Sequence, residues 1–172
     1  MALQVDKDDQ GPLAEAWAIF GPSHVPYRIL LLGKMLDRLT AQQVRMQADL
    51  TLAEWRVIAH LAVIGQASAS RLSSAALVDR AEISRAVRAL TERGLVARHP
   101  QPKDRRSVLL GLTDKGRRVY GETHESRRRF FAGVTQDLDA DELQQLDDYL
   151  FRIARVADRL MAEGEAGKAP PR

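Results

Sequence analysis

At 172 residues and 19.2 kDa, with 45% apolar and 28% charged side chains, the chain has the size of one domain, or one domain with an appended element, and too much apolar content to be disordered. The absence of cysteine excludes a disulfide framework, a thiolate metal site, a Cys nucleophile and a thiol redox sensor. The net charge of +3 is uneven: residues 51–116 hold eleven basic and six acidic side chains, while the segments before and after each carry one acidic residue in excess. That split fits a polyanion-facing centre and equally a chance distribution.

The acidic opening, Met1 to Gln10, lacks the basic-then-apolar order of a signal peptide, and no apolar run approaches the roughly 20 residues needed to span a bilayer. A soluble, cytoplasmic protein is the expectation. After a short apolar stretch, Leu13 to Phe20, Gly21-Pro22 punctuates and Ser23 is placed to cap a long helix reaching about Ala48. Its apolar positions Ile29, Leu32, Leu36, Leu39 and Met46 form a heptad seam with Gln43 as a polar interruption. Thr51-Leu52-Ala53-Glu54 is a capping box opening a helix that ends at Gly65. A short helix spans roughly Ser70 to Leu77, and a second box, Asp79-Arg80-Ala81-Glu82, opens another that stops at Gly94.

Leu95 to His99 and Ser107 to Leu112 read as strands flanking a polar loop, Pro100 to Arg106, so this segment is a hairpin with a basic tip. Thr113 caps a helix that carries Arg127-Arg128-Arg129 and ends near Leu138. Asp139-Ala140-Asp141-Glu142 opens the last one, with Leu143, Leu146, Leu150, Ile153, Ala157 and Leu160 at unbroken 3,4,3,4,3 spacing. The tail after Gly164 reads as disordered.

On the helix opened by Asp79, Ile83, Val87 and Leu90 form an inward stripe, while Ala81, Ser84, Arg85 and Arg88 share another face. Arginine donates two parallel hydrogen bonds to guanine, serine bonds a base or phosphate, and a small residue permits close approach. Taken alone, such a helix is equally an ordinary amphipathic one with a solvated basic face. Its setting is more specific. A short helix, a tight turn and a capped basic helix make a helix-turn-helix, and the basic hairpin that follows is placed as a wing whose Arg105 or Arg106 enters a minor groove.

Residues from about 28 to 160 resemble the MarR family of winged helix-turn-helix repressors. The resemblance rests on Asp104-x-Arg106, Leu112-Thr113-x-x-Gly116, Leu52 and Trp55 opening one helix, and Leu90-x-x-x-Gly94-Leu95-Val96 closing another. It implies a mainly α fold with a small β-wing, in which N- and C-terminal helices form a dimerisation domain. The divisions are then an N-terminal extension (1–21), a dimerisation helix (22–50), the winged helix-turn-helix (51–116), C-terminal dimerisation helices (117–163) and a tail (164–172). The resemblance further implies double-stranded DNA and a second copy of the chain as partners. Ser84, Arg85 and Arg88 would read bases, Arg106 the minor groove, and Lys103 and Arg105 phosphates, while Asp104 orients the wing. It also implies release by a small phenolic or aromatic anion, for which His24, Tyr27, Arg28, Trp55 and His60 are the candidate lining.

His24, His60, His99 and His124 show no metal-ligand spacing, so neither a metal nor a cofactor is expected. Nor does the sequence contain a nucleophile elbow, Walker loop or dinucleotide fingerprint, which argues against an enzyme. The alternative reading is a winged-helix protein-interaction module whose basic face meets an acidic protein.

Overall fold

The computed structural model describes residues 12–19, 24–101 and 104–166. Its elements are α1 (Pro12–Ala18), α2 (Val25–Ala48), α3 (Leu52–Ile64), β1 (Gln66–Ala67), α4 (Ala69–Ala76), α5 (Arg80–Glu92), β2 (Val96–Gln101), β3 (Asp104–Leu112), α6 (Asp114–Val134) and α7 (Ala140–Ala166). The described residues up to His124 belong to one compact unit, and those from Glu125 onward to a second.

The core of the first unit collects buried side chains from every element between α2 and β3. Val44 and Leu50 meet Trp55, Val57, Ile58 and Leu61 of α3, Leu72 of α4, Ile83, Val87 and Leu90 of α5, and Leu95, Val96, Leu110 and Leu112 around the sheet. Each fully buried Leu or Ile contributes roughly 1.5–3 kcal/mol. Local caps set where the helices begin. Thr51 accepts from the Glu54 amide at 3.2 Å and Glu54 Oε2 from the Thr51 amide at 2.8 Å, completing the α3 box. Asp79 Oδ1 accepts from the Ala81 and Glu82 amides of α5. Asp139 and Glu142 form the box of α7 in both directions.

The sheet has the order β1-β3-β2, antiparallel throughout. It departs from expectation in two ways. First, β2 and β3 run on to Gln101 and back to Asp104, so most of the segment read as loop is strand. Proline is tolerated there because β2 is an edge strand, where alternate N–H groups face no neighbour, and because the register shifts between Pro100 and Gln101. Second, Gln66 and Ala67 pair with Gly111 and Leu110, a two-residue strand too short to show periodicity. Helix ends also move: α4 starts one residue earlier behind Ser68, α6 stops at Val134, and α7 continues through Gly164 to Ala166. Ser23, Phe20 and residues 167–172 lie outside the described residues. The residue at the N-cap of α2 is His24, with Pro26 in the first turn.

The face of α2 that enters the core carries Thr40, Gln43 and Val44, so the heptad seam contributes its polar interruption and none of its apolar members to the buried residues. On that seam Leu32 and Leu39 are exposed, and Met46 is 80% exposed. In the second unit, Leu143, Leu146, Leu150, Ile153 and Leu160 of α7 are all exposed, at 37–60%. Also in this unit, Arg128 donates to both oxygens of Glu125 (3.1 and 3.0 Å), and Arg129 approaches the same carboxylate at 3.6 Å. The hydrogen bond and the charge of Glu125 raise Arg128 above its ordinary pKa. Arg127 lies 4.8 Å over the Phe131 ring, and burial lowers its pKa. Arg128 and Arg129 are therefore ion-paired within α6.

Candidate nucleic-acid interface

Helix α4 is capped by Ser68, which accepts from the Arg71 amide at 3.2 Å, and ends at Leu77 in the left-handed conformation with φ +51°. The turn is closed by Ser73, whose amide-adjacent carbonyl accepts from Val78 N at 3.1 Å and whose hydroxyl donates to the Val78 carbonyl at 2.7 Å. Arg80, in the first turn of α5, donates to Ser70 Oγ of α4 at 2.8 Å. These bonds fix the angle between the two helices locally.

With that angle set, α5 buries Ile83, Ala86, Val87 and Leu90 and exposes Ala81, Ser84, Arg85 and Arg88. Among the described residues, no salt bridge engages Arg85, Arg88, Arg71 or Arg98. Guanidiniums without a carboxylate hold their charge available for phosphate or base edges. Shallow clefts flank the helix. One, of about 140 Å³, lies toward the sheet and is lined by Ser84, Val87, Arg98, Val108, Leu110 and Ala69. The other, of about 410 Å³, runs along the N-terminal end of α3 and includes Thr51, Glu54, Glu82, Arg85 and Arg88.

The backbones of Asp104, Arg105 and Arg106 lie in β3, Asp104 registering opposite Gln101. Their side chains, and Lys103 entirely, fall outside the described residues. The base of the wing is joined to the next helix by the Leu-Thr-x-x-Gly motif. Thr113 Oγ1 donates to the Gly94 carbonyl at 2.8 Å and accepts from the Gly116 amide at 3.0 Å, capping α6 while holding it to the end of α5.

His24, Tyr27 and Arg28 share the first turn of α2, while Trp55 and His60 sit on α3. Arg28 Nε donates to the Trp17 carbonyl at 3.4 Å, and its guanidinium stands 5.4 Å over the Trp17 ring of α1. Trp55 is buried and stacks on Tyr120 at 5.9 Å, which stacks in turn on His124 at 5.2 Å. His60 Nδ1 lies 2.7 Å from the Arg56 carbonyl and Nε2 3.2 Å from that of Ala75, so a neutral ring donates to one and an imidazolium to both.

Sequence reasoning missed Arg80 and Arg98. Arg98 shows no signal in a lone strand and acquires its position only by sharing a cleft with Ser84. Arg80 reads as an ordinary N1 residue until α4 is placed beside it. No group of three or more His, Asp or Glu that could hold a metal occurs among the described residues, and no helix among them is long and apolar enough to cross a membrane.

A helix-turn-helix followed by a two-stranded wing, with a basic helix face whose arginines form no salt bridge among the described residues, defines a winged-helix DNA-binding protein. The sequence profile of the MarR family matches residues 48–107. The HTH-type transcriptional regulator FarR of Neisseria gonorrhoeae is 30% identical over 114 residues, covering 66% of this chain and 78% of that protein. The HTH-type transcriptional repressor IacR of Pseudomonas putida is 31% identical over 111 residues, covering 61% and 66%. A mutant E. coli MarR solved in complex with operator DNA superposes with a TM-score of 0.65 at 26% identity, over 73% of this chain and 89% of that one. The chain belongs to the MarR family of DNA-binding transcriptional regulators.

Proposed function

We propose that the protein is a sequence-specific repressor that binds a pseudo-palindromic operator as a homodimer and leaves it when a small aromatic or phenolic anion binds. The observation that carries the DNA-reading part is the α5 face, on which Ser84, Arg85 and Arg88 are exposed and neither arginine has a salt-bridge partner among the described residues. In this reading Ser84, Arg85 and Arg88 meet base edges, Ala81 lets the helix approach, Arg106 enters the minor groove, Lys103 and Arg105 hold phosphates, and Asp104 orients the wing. Half-sites then lie about 34 Å apart, one helical turn.

The homodimer is supported by Leu32, Leu39 and Met46 on the seam of α2 and by the apolar row of α7, which the single chain leaves exposed. N- and C-terminal helices thus form the dimerisation domain, and residues 51–116 the DNA-binding one. Repression has support in the names of relatives such as IacR. The effector site is drawn from His24, Tyr27, Arg28, Trp55 and His60, and release requires the ligand to bind the DNA-incompetent arrangement more tightly.

Titrating the protein onto the DNA upstream of its own gene and onto a random duplex tests the reading. A preference of about a thousandfold or more for the upstream DNA is expected, with affinity falling steeply as salt is added. Equal, weak binding to both would replace the reading with a winged-helix protein-interaction module.

A further inference from the structure

The end of the recognition helix is fastened to the end of a different helix by one side chain. Arg93 is the C-cap residue of α5. Its Nη1 donates to the Asp49 carbonyl at 2.9 Å and its Nη2 to the Ala48 carbonyl at 3.1 Å. Ala48 is the last residue of α2, and Asp49 is its left-handed cap. Terminal helix carbonyls lack intrahelical partners and carry partial negative charge, so a forked guanidinium is well matched to two of them at once.

Arg93 Nη1 also stands 3.7 Å from Glu54 Oε2, the oxygen that closes the α3 capping box. On its other side, the Arg93 carbonyl accepts from Lys115 Nζ in the first turn of α6 at 3.0 Å. One residue at the end of α5 therefore touches the C-terminus of α2, the N-terminus of α3 and the start of α6. The contacts to α2 cross 44 and 45 positions of sequence, so they are tertiary bonds and not a local cap.

We propose that Arg93 is a positioning residue that couples α2 to the recognition helix, so that the angle at which α5 presents Ser84, Arg85 and Arg88 follows the position of the last turn of α2. The proposal rests on α5 being the DNA-reading helix. Arg93 itself touches no DNA in this scheme; it acts through the bearing of its own helix, and both partners bias one joint.

The test compares the full-length chain with Arg93→Ala and Arg93→Lys, the latter keeping the charge but losing the fork. Regional amide hydrogen exchange is measured at a temperature where circular dichroism shows each variant folded. Arg93→Ala should speed exchange about tenfold in the last turns of both α2 and α5, with Arg93→Lys in between. Its affinity for the upstream duplex should fall roughly tenfold, with random-duplex affinity and the salt slope unchanged. Faster exchange confined to α5 would overturn the coupling. Equal losses on both duplexes with a slope shallower by about one would make Arg93 a phosphate contact and overturn it too. Wild-type protein binding both duplexes equally weakly would remove the DNA reading itself, and the exchange pattern would still decide whether Arg93 ties the two helix ends. If Arg93→Ala does not fold, Arg93→Gln, which keeps an N–H donor without the charge, takes its place in both arms.

Discussion

A β-carbon on Gly116 would be driven into the carbonyl oxygen of Leu95. That carbonyl already accepts from the Thr113 amide at 3.1 Å, so it is not free to move aside. The glycine at the third position of α6 is required by the backbone that passes beside it, and the close approach lets Thr113 reach Gly94 and Gly116 together.

Gly116→Ala should therefore destabilise the fold by about 1–3 kcal/mol, despite the usual preference of helices for alanine. Urea unfolding of the two proteins measures it, and equal midpoints would show that α6 can shift without cost.

The cap of α5 separates two roles of one carboxylate. Asp79→Ala removes the acceptor for the Ala81 and Glu82 amides and should cost about 1 kcal/mol. Asp79→Asn keeps an acceptor and should retain nearly all the stability. Thermal melts of the pair decide whether the acceptor or the charge matters.

How much of this was readable beforehand follows from the range of each interaction. The boxes at Thr51 and Asp139 and the cap at Asp79 are legible because donor and acceptor lie within four residues; at Asp79 only the aspartate's half of the expected box is formed, its carboxylate accepting from the Ala81 and Glu82 amides. The outward face of α5 is legible because Ile83, Val87 and Leu90 leave one periodic choice of what is buried. β1 was not, since Gln66 and Ala67 become a strand only by meeting Gly111 and Leu110. The ends of the wing strands were not, because proline reads as a breaker until the strand is known to be an edge. In α2 the residues that bury are Thr40, Gln43 and Val44, so of the heptad seam only its polar interruption enters the core, a choice made by packing against α3 and invisible in α2 alone.

For the proposed operator contacts, Arg88→Ala should relax base preference at one position per half-site by about 1–3 kcal/mol. Arg106→Ala should weaken operator binding while leaving the oligomeric state and melting curve in place. A binding-site selection experiment on the first and a titration on the second are the readouts; unchanged preference or unchanged affinity would remove that residue from the interface.

Leu150 is 41% exposed in the single chain, so Leu150→Glu leaves the fold of one chain little affected. Across a dimer interface the same change places two carboxylates in an apolar seam and should weaken association by more than about 2 kcal/mol. Sedimentation equilibrium should then show monomers at concentrations where the proposed wild-type homodimer holds together.

Leu77 holds φ +51° and is 80% exposed, so its side chain contributes little packing against an unfavourable backbone. Leu77→Gly should stabilise the turn by about 0.5–1 kcal/mol net of glycine's greater unfolded-state entropy. A lower denaturation midpoint would mean that the leucine packs in solution.

The apolar row of α7 reads the same from either end: Leu143, Leu146 and Leu150 are spaced as Leu160, Ala157 and Ile153 are in reverse. Laid antiparallel on an identical helix, Leu143 falls opposite Leu160, Leu146 opposite Ala157, and Leu150 opposite Ile153. One codon change in this row would then be felt twice, at two places related by the two-fold axis. Its remedy must arise within the same gene, since neither copy can vary independently of the other.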